Sequence, residues 1–372
     1  MSSNESFHIV VLPGDGIGVE VMDACLAVLR ELQRLRPEVR LRFDAHPGGA
    51  ALYAASGTAF PESSMRACEA ADAVLFGAMG LPHVRYPDGT EIAPQLELRE
   101  EFELFAGVRP IRAIPGVPLP LADPRAAQID FVLVREQTEG WFYGRSHADA
   151  APPGDDDCCY DLGRITRAGS ERLFEFSFRL AQRRRGRNPG KGRVTCVDKA
   201  NVHRAMALMN RVFWDVARRH PDIASDHCYV DAMALNLIRK PWDYDVVATE
   251  NQFGDILSDL AAGLVGGMGM APSGDIGERH ALFQPAHGSA PDIAGQGRAN
   301  PTAMLLSAVM MLEWLGDRAG RPALAEAAAA LEAAIDRIYS ERRVRPYEFG
   351  GKDGTAAIAG AVVDAIREPV VA

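Results

Sequence analysis

The feature that most constrains this chain is an alternation of short apolar strands with helices. Residues 8–12 (HIVVL) predict a buried strand, residues 13–18 (PGDGIG) a tight turn, and residues 19–32 a helix with apolar side chains at helical spacing. Further buried strands are predicted at 73–76, 131–134 and 194–197, and an amphipathic helix at 173–185. Strands that alternate with helices predict an α/β fold with a largely parallel or mixed sheet.

Length, charge and cysteine usage narrow the class of protein. The 372 residues are too many for one small core and predict two domains or one large α/β unit. The net charge of −10 argues against nucleic acid or an anionic membrane as a partner. Residues 1–5 are polar, which is unlike a secretory signal, and the longest apolar stretch, 303–315, is too short to span a bilayer and predicts a buried helix. The six cysteines lack metal-site spacing, so we expect free thiols and a cytoplasmic protein.

Two acids at helical spacing give the first sign of a site. Asp255 and Asp259 are four residues apart, so on a helix they share one face, where their mutual repulsion favours a bound Mg²⁺ or Mn²⁺ ion. The alternative is a pair of solvated acids, which is the better interpretation of the spacing alone. Asp231 changes the balance because it directly follows a predicted apolar strand, at the edge where α/β sheets bind ligands.

Basic residues in apolar settings give the second sign. Arg99, Arg109 and Arg135 could bind the two carboxylates of a dicarboxylic acid, although for any single arginine a structural salt bridge is the better interpretation. Lys199 follows a predicted strand and could act as a base near a metal, or it could be an ordinary surface lysine.

The glycine-rich segments are weaker evidence. Gly14, Gly16 and Gly18 follow a strand but lack the G-x-G-x-x-G spacing of a dinucleotide turn. The run from His287 to Asp292 could surround a nucleotide or be a plain loop.

Taken together, in this order and spacing, these segments resemble the β-decarboxylating dehydrogenases, which include isopropylmalate, isocitrate, homoisocitrate, tartrate and D-malate dehydrogenases. The resemblance extends from residues 12–18 (LPGDGIG) to 299–302 (ANPT). The closest likeness is to the isopropylmalate dehydrogenases, through residues 198–202 (DKANV), 229–234 (YVDAMA), 253–259 (FGDILSD) and 287–295.

The resemblance implies a fold and a separate function for each of its two domains. The fold is the two-domain isopropylmalate dehydrogenase type, a three-layer α/β/α arrangement with a mixed sheet. Residues 1–104 and 266–372 would form a discontinuous NAD-binding domain. Residues 105–265 would form the domain for substrate, metal and dimer contacts, with an intersubunit arm at about 146–161.

The resemblance also implies residue roles in a homodimer with a shared active site. It gives catalytic roles to Lys199, Tyr143 and Asp231; metal binding to Asp231, Asp255 and Asp259; substrate binding to Arg99, Arg109, Arg135, Gln95, Leu96 and Val202; and NAD binding to Ile17, His287, Gly288, Ser289, Ala290, Asp292, Ala299 and Asn300. Lys199 and Asp231 would come from the other subunit. Because the acid Asp292 would repel a 2′-phosphate, NAD is favoured over NADP.

The implied reaction is the NAD- and metal-dependent oxidative decarboxylation of a 3-substituted (2R)-malate, with 3-isopropylmalate as the first candidate. Tartrate, D-malate or another 3-substituted malate is the alternative, because Gln95 and Leu96 stand where isopropylmalate enzymes have an apolar pair and so suggest a smaller or more polar group. Val202 keeps an apolar contact typical of the isopropylmalate enzymes.

One position departs from the family pattern. The family has a tyrosine, the general acid, seven residues after the third arginine; here that position is Phe142, and Tyr143 comes one residue later. In an extended segment, adjacent side chains point to opposite faces, so Tyr143 would need a local bulge to replace it. Either Tyr143 acts as the acid, or protonation is slow and partly mediated by water.

Two other classes of protein fit the sequence less well. A catalytically silent regulatory paralogue predicts a lost lysine or a broken acid set, yet Lys199, Asp231, Asp255 and Asp259 are all present, and only Phe142 favours that interpretation. A phosphate-loop NTPase is disfavoured because the G-x-x-x-x-G-K-[ST] motif does not occur.

Overall fold

The computed structural model describes residues 6–152, 154–155 and 157–368. Its strands are β1 (Phe7–Gly14), β2 (Leu41–Ala45), β3 (Ala73–Ala78), β4 (Ala106–Arg112), β5 (Asp130–Glu136), β6 (Arg193–Asp198), β7 (Ala224–Tyr229), β8 (Val246–Thr249), β9 (Pro272–Ile276) and β10 (Ala281–Pro285). Its α-helices are α1 (Ile17–Leu35), α2 (Ala50–Ser56), α3 (Glu62–Ala70), α4 (Pro94–Glu101), α5 (Arg167–Arg187), α6 (Arg204–Ala217), α7 (Val230–Arg239), α8 (Asn251–Leu264), α9 (Thr302–Ala319), α10 (Pro322–Ser340) and α11 (Thr355–Arg367). Within these described residues, no helix combines the length and apolar character that crossing a membrane requires.

The chain forms two compact units, and the first contains both ends of the described chain. It comprises Met1–Phe102, Ile114–Pro118 and Val265–Ala372, within the described residues. Its strands follow the order β2-β1-β3-β10-β9. The pairings are parallel from β2 to β10, and β9 runs antiparallel to β10. Most residues of its helix α9 are buried, which confirms the interpretation of the apolar stretch 303–315.

The second unit comprises Glu103–Ala113 and Leu119–Leu264. Its strands follow the order β4-β5-β8-β6-β7. Here β4 runs antiparallel to β5, and the other neighbours are parallel. Strands β5, β6 and β8 are almost wholly buried, as expected of parallel strands covered by helices. The predicted α/β class and the mixed strand pairing are confirmed.

Most predicted elements are present with longer bounds, but two segments near the site differ. The strand before Asp231 is not apolar: β7 has the sequence ASDHCY, is only partly buried, and ends at Tyr229, so Asp231 lies in the first turn of α7. Residues Trp141–Arg145 form a 3₁₀ turn rather than an extended segment, so the strict alternation of side chains between faces does not apply there. The six cysteines are all free, as predicted, and Cys158 and Cys159 are exposed.

The predicted intersubunit arm is only partly described. Residues 153 and 156 of the arm, like residues 1–5 at the start of the chain, lie outside the described residues. The rest of the arm includes a short 3₁₀ turn, Ala148–Ala150, and is otherwise irregular.

Candidate active site

Helix α8 carries two predicted metal ligands one turn apart, as their spacing indicated. Its first turn is held by Glu250, whose carboxylate accepts hydrogen bonds from the backbone N–H groups of Gln252 and Phe253 at 3.1 and 2.6 Å. Asp255 is about half-exposed, with 51% of its side-chain surface accessible. Burial and the neighbouring charge of Asp255 raise the pKa of Asp259. The two carboxylates therefore repel each other, and a bound cation would relieve that repulsion.

Arg135, at the end of β5, lies beside these acids. Its side chain is buried, and its Nε and Nη2 atoms donate to Oδ1 of Asn251 at 2.9 and 2.7 Å. Its Nη1 atom donates to Asp255. Residue 254 must be glycine for this approach, because a Cβ there would lie 2.6 Å from Cγ of Arg135.

Arg109 adds a second cation to the same group. It lies on β4 and is buried, and its charge, like that of Arg135, lowers the pKa of Asp259 and partly offsets the effects of burial and Asp255. The second unit thus brings two predicted carboxylate-binding arginines together with two predicted metal ligands.

Arg99, the third predicted arginine, belongs to the first unit. It lies on α4, is buried, and donates through Nε to Oδ2 of Asp275 at 2.8 Å. Asp275 is fully buried and also accepts from Gln284 at 2.9 Å. A buried acid with these partners holds the arginine in one orientation while balancing its charge.

The two aromatic residues after β5 have different surroundings. The ring of Phe142 lies 5.1 Å from the guanidinium carbon of Arg135. The hydroxyl of Tyr143 accepts a hydrogen bond from Nη1 of Arg164 at 3.0 Å, and its ring stacks on His147 with 3.8 Å between centroids. In this arrangement it is Phe142, not Tyr143, that lies against Arg135, a predicted carboxylate-binding residue.

Lys199 and Asp231 form a separate pair. Nζ of Lys199 donates to Oδ1 of Asp231 at 2.5 Å, and this hydrogen bond lowers the pKa of Asp231. The turn that carries Lys199 is held by the fully buried Asp198, which accepts from the backbone N–H of Ala200 at 2.8 Å and from His227 at 2.9 Å.

Within the described residues, no three His, Cys, Asp or Glu side chains are grouped closely enough to hold a metal ion. One chain therefore offers Asp255 and Asp259 on α8, and Asp231 beside Lys199, as two separate parts of the predicted ligand set.

The predicted nucleotide residues at the N-terminal turn are in close contact. The N–H of Ile17 donates to the carbonyl of Ser289 at 2.8 Å, and the hydroxyl of Ser289 donates to the carbonyl of Gly80. Gly16 has a φ of +57°, and a Cβ there would lie 2.0 Å from the Ser289 oxygen. Glycine is therefore required at this turn, and the 287–290 loop packs directly on it.

His287 supplies a polar atom that lacks a partner. Its Nδ1 lies 2.9 Å from the carbonyl of Gly288, while Nε2 is buried with no hydrogen-bond partner. Burial lowers the pKa of His287, so the ring is neutral, and with Nδ1 donating to that carbonyl, Nε2 is an acceptor. Ala290 follows with a φ of +36°, which is uncommon for a residue other than glycine.

The remaining predicted nucleotide-binding residues differ in whether their polar groups are exposed or already hydrogen-bonded. Asp292 is exposed. The N–H of Ala299 approaches Glu20 at 3.3 Å. The side chain of Asn300 is engaged inside the unit: its amide donates to Glu348 at 2.6 Å and its oxygen accepts from Thr302 at 2.7 Å.

The three residues predicted to contact the variable substrate group also differ. Gln95 and Leu96 lie on α4 and are partly buried, and the Oε1 atom of Gln95 is buried without a hydrogen-bond partner. Val202 is 63% exposed.

Three side chains that orient the predicted ones were not expected from the sequence. Asn251 fixes Arg135, Asp275 fixes Arg99, and Asp198 holds the turn of Lys199. Asp198, the first residue of the 198–202 motif and the last of β6, and Asn251, two residues before the 253–259 motif, were visible as polar residues close to buried strands. Asp275 is 176 positions from Arg99, and no local signal marks the pair.

The comparisons with known proteins agree over nearly the whole chain. The family model described as isocitrate/isopropylmalate dehydrogenase matches residues 8–366. A 3-isopropylmalate dehydrogenase of Methanothermobacter thermautotrophicus is 40% identical, over 96% of this chain and 98% of that protein. A 3-isopropylmalate/3-methylmalate dehydrogenase of Methanocaldococcus jannaschii is also 40% identical, over 97% and 99%.

Solved structures share the fold. The isocitrate dehydrogenase of Methylococcus capsulatus superposes with a TM-score of 0.84 at 33% identity, covering 97% of this chain and all of that one (100%). The TT0538 protein of Thermus thermophilus gives the same TM-score, 0.84, at 34% identity, over 97% and 68%.

These matches, together with the acids on α8 and the buried arginines beside them, define an α/β dehydrogenase. The chain belongs to the isocitrate/isopropylmalate dehydrogenase family and is an oxidoreductase.

Proposed function

We propose that this enzyme catalyses the NAD- and divalent-metal-dependent oxidative decarboxylation of a 3-substituted (2R)-malate, with 3-isopropylmalate as the first candidate. The observation that carries the proposal is the group on the second unit, in which the buried cations Arg109 and Arg135 lie beside Asp255 and Asp259. The arginines would bind the carboxylates of a substrate, and the neighbouring aspartates would bind a hard metal ion. Together they suit a dicarboxylic hydroxy acid that is bound to a metal. Both relatives described above carry 3-isopropylmalate in their names.

The residues fit a divalent cation. Asp255 and Asp259 share one face of α8, and the raised pKa of Asp259 reflects burial and the charge of its neighbour. Oxygen ligands of this type suit Mg²⁺ or Mn²⁺. Because Asp231 is not grouped with these two acids within one chain, among the described residues, we propose that the third ligand comes from a second subunit.

The residues also fit NAD. The unpartnered acceptor Nε2 of His287 suits a donor such as an adenine amino group or a ribose hydroxyl. The 287–290 loop packs on the turn at Gly16. The carboxylate of Asp292, just beyond this loop, is exposed and would accept hydrogen bonds from the ribose hydroxyls. Because Asn300 has its side-chain amide occupied by Glu348 and Thr302, its contribution, like that of Ala299, would come through the backbone.

The chain's own residues supply binding and proton transfer. When bound, the metal would polarise the 2-hydroxyl and later the keto oxygen, and NAD would accept the hydride. Arg99, Arg109 and Arg135 bind the carboxylates and fix the orientation of the malate. The base that takes the hydroxyl proton is Lys199, in its neutral amine form, or a neighbouring aspartate such as Asp231, to which Lys199 donates a hydrogen bond.

The last step needs a proton on C3, after the bond to the β-carboxylate breaks and its electron pair enters the enol. We propose Tyr143 as the donor. Its hydroxyl accepts a hydrogen bond from Arg164 and would have to leave that partner to reach C3. The alternative is that protonation is slow and partly mediated by water.

We also propose that the active unit is a homodimer. Apolar side chains on α7 and α8 are exposed to an unusual degree: Leu235 (56%), Ile238 (47%) and Ile256 (60%). These helices carry Asp231 and Asp255, so a second copy that covers this face would also bring the two parts of the metal site to the same interface. The arm at about 146–161 and a cytoplasmic location stay predictions.

The substrate and activity are tested with a panel of malates that carry isopropyl, methyl, hydroxyl or no group at C3, with NAD and Mg²⁺ or Mn²⁺, followed by NADH absorbance. We expect the isopropyl compound to give the highest kcat/KM. A preference for tartrate or D-malate would favour the alternative substrate, for which the buried, unpartnered Oε1 of Gln95 is the supporting observation. If no compound yields NADH, the enzyme proposal fails and the silent-paralogue interpretation gains support.

A further inference from the structure

Asn251 is placed where it can set the orientation of Arg135. It is the first residue of α8, only 2% exposed, and it touches both the end of β5 and the segment that follows it. Its Oδ1 atom accepts from Nε and Nη2 of Arg135 at 2.9 and 2.7 Å, and its Nδ2 atom donates to the carbonyl of Glu139 at 3.0 Å.

The chemistry of the two partners fixes the direction of this amide. A guanidinium only donates and a carbonyl only accepts, so Oδ1 must face Arg135 and Nδ2 must face Glu139. The base of the Asn251 side chain is also closely packed, because a Cβ added at Gly140 would lie 2.9 Å from Cβ of Asn251. Asn251 therefore holds the guanidinium by one edge, in one plane.

Holding the Nε and Nη2 edge determines where the other end of the guanidinium points. That end, Nη1, reaches Asp255. Asp255 and the substrate carboxylate are both anions that need this cation. An arginine without a fixed edge would turn to bind Asp255 with two hydrogen bonds, the preferred geometry of an arginine–carboxylate pair. That would weaken the binding of a substrate carboxylate.

We propose that Asn251 is a positioning residue for substrate binding: it fixes Arg135 so that its Nη1 end serves a substrate carboxylate as well as Asp255. The inference rests on the proposed function, in which Arg135 binds substrate. It assigns Asn251 no contact with the reacting atoms.

The test is a double-mutant cycle of Asn251→Ala and Arg135→Lys, with Gln252→Ala, an exposed neighbour on α8, as the matched control. Binding of 2-isopropylsuccinate, which lacks the oxidisable hydroxyl, is measured by calorimetry without NAD or metal. KM and kcat are measured in parallel with the best malate of the panel.

We expect Asn251→Ala to weaken binding and raise KM about tenfold or more, with a smaller change in kcat, because a hydrogen bond to a charged group is lost. In the Arg135→Lys background the same substitution should change either quantity less than about twofold, since the two residues act through one interaction. Gln252→Ala should resemble the parent.

Equal losses in both backgrounds, or parental binding and KM in Asn251→Ala, would overturn the proposal. If the alanine variant does not fold, as judged by its melting curve, Asn251→Asp replaces it. The aspartate keeps the acceptor for Arg135 but loses the donor to the carbonyl of Glu139, and its negative charge offsets the positive charge of Arg135. Binding should therefore weaken again, and parental binding would overturn the proposal. A parent enzyme that oxidises no malate refutes the proposed function instead.

Discussion

Phe142 packs its ring against Arg135, with 5.1 Å between the ring centre and the guanidinium carbon, while the next residue, Tyr143, is bound to Arg164. Of these two aromatic side chains, the one beside the predicted carboxylate-binding arginine has no proton to give, and the one that has a proton is bound to a different arginine. Under the proposed function, we therefore expect protonation of C3 to be the step in which this chain differs from its family's pattern.

A hydroxyl placed at Phe142 should speed the reaction. In Phe142→Tyr the phenol would extend from a ring that already lies beside Arg135, so it could donate a proton without first leaving Arg164. We expect turnover to rise about tenfold or more; general acids contribute about a hundredfold to ten-thousandfold. Steady-state release of CO₂ measures it, with Phe142→Leu as the control that changes the ring without adding a hydroxyl; a turnover no higher than the parent's would contradict the expectation.

Removing the hydroxyl of Tyr143 should slow overall turnover more than the oxidation step. Tyr143→Phe retains the stacking on His147 but has no proton to donate to C3, so we expect the steady-state rate of CO₂ release to fall about tenfold to a hundredfold. Single-turnover formation of NADH should change less. Unchanged CO₂ release would exclude Tyr143 as the donor.

The buried pair of Arg99 and Asp275 should matter for both stability and binding. Asp275→Ala leaves the cation of Arg99 buried without its partner, and breaking such a pair costs about 3–5 kcal/mol of the free energy of unfolding. Urea denaturation measures this, and KM should rise because Arg99 loses its fixed orientation. Asp275→Asn keeps an acceptor for Arg99 and should lose less of the free energy of unfolding. Equal stability of the alanine variant and the parent would show that the ion pair does not stabilise the fold.

The shared site can be tested with mixed dimers. Lys199→Ala and Asp255→Ala homodimers should both be inactive. In a dimer with one subunit of each kind, isolated through two different affinity tags, one site keeps both residues if they come from different subunits. We therefore expect about half the parental activity. Were each chain to build its own complete site, the mixed dimer would have none.

Glu136 should make stability depend on pH. Burial raises its pKa, even though Thr138 and the N–H of Glu139 donate to its carboxylate. A group whose pKa is higher in the folded state binds protons more tightly there, so its stabilising contribution is complete below its unfolded pKa, about 4.3, and is lost as pH rises. Glu136→Gln should remove this loss: between about pH 4 and pH 7 the parent should lose stability relative to the variant, measured by urea denaturation at each pH. A constant difference across that range would show that the carboxyl does not titrate abnormally.

Much of the fold and part of the site were accessible from sequence because they depend on local spacing. The strand at 8–12, the helix after it and the buried helix over 303–315 follow from apolar periodicity and lie where expected. The strand before Asp231 was wrongly taken as apolar: Ser225, Asp226 and His227 are polar, which fits the position of β7 at the edge of the sheet.

The sequence by itself determined which residues share a face of one element, as with Asp255 and Asp259, since helical geometry puts residues four apart on the same side. It also determined the family, through motifs in a fixed order. Only the tertiary structure decided which partners orient the charged groups. Asn251 lies 116 positions from Arg135, and Asp275 lies 176 from Arg99. Such pairs form where packed strands and helices bring distant segments together, and a buried charge must then find its partner within that space.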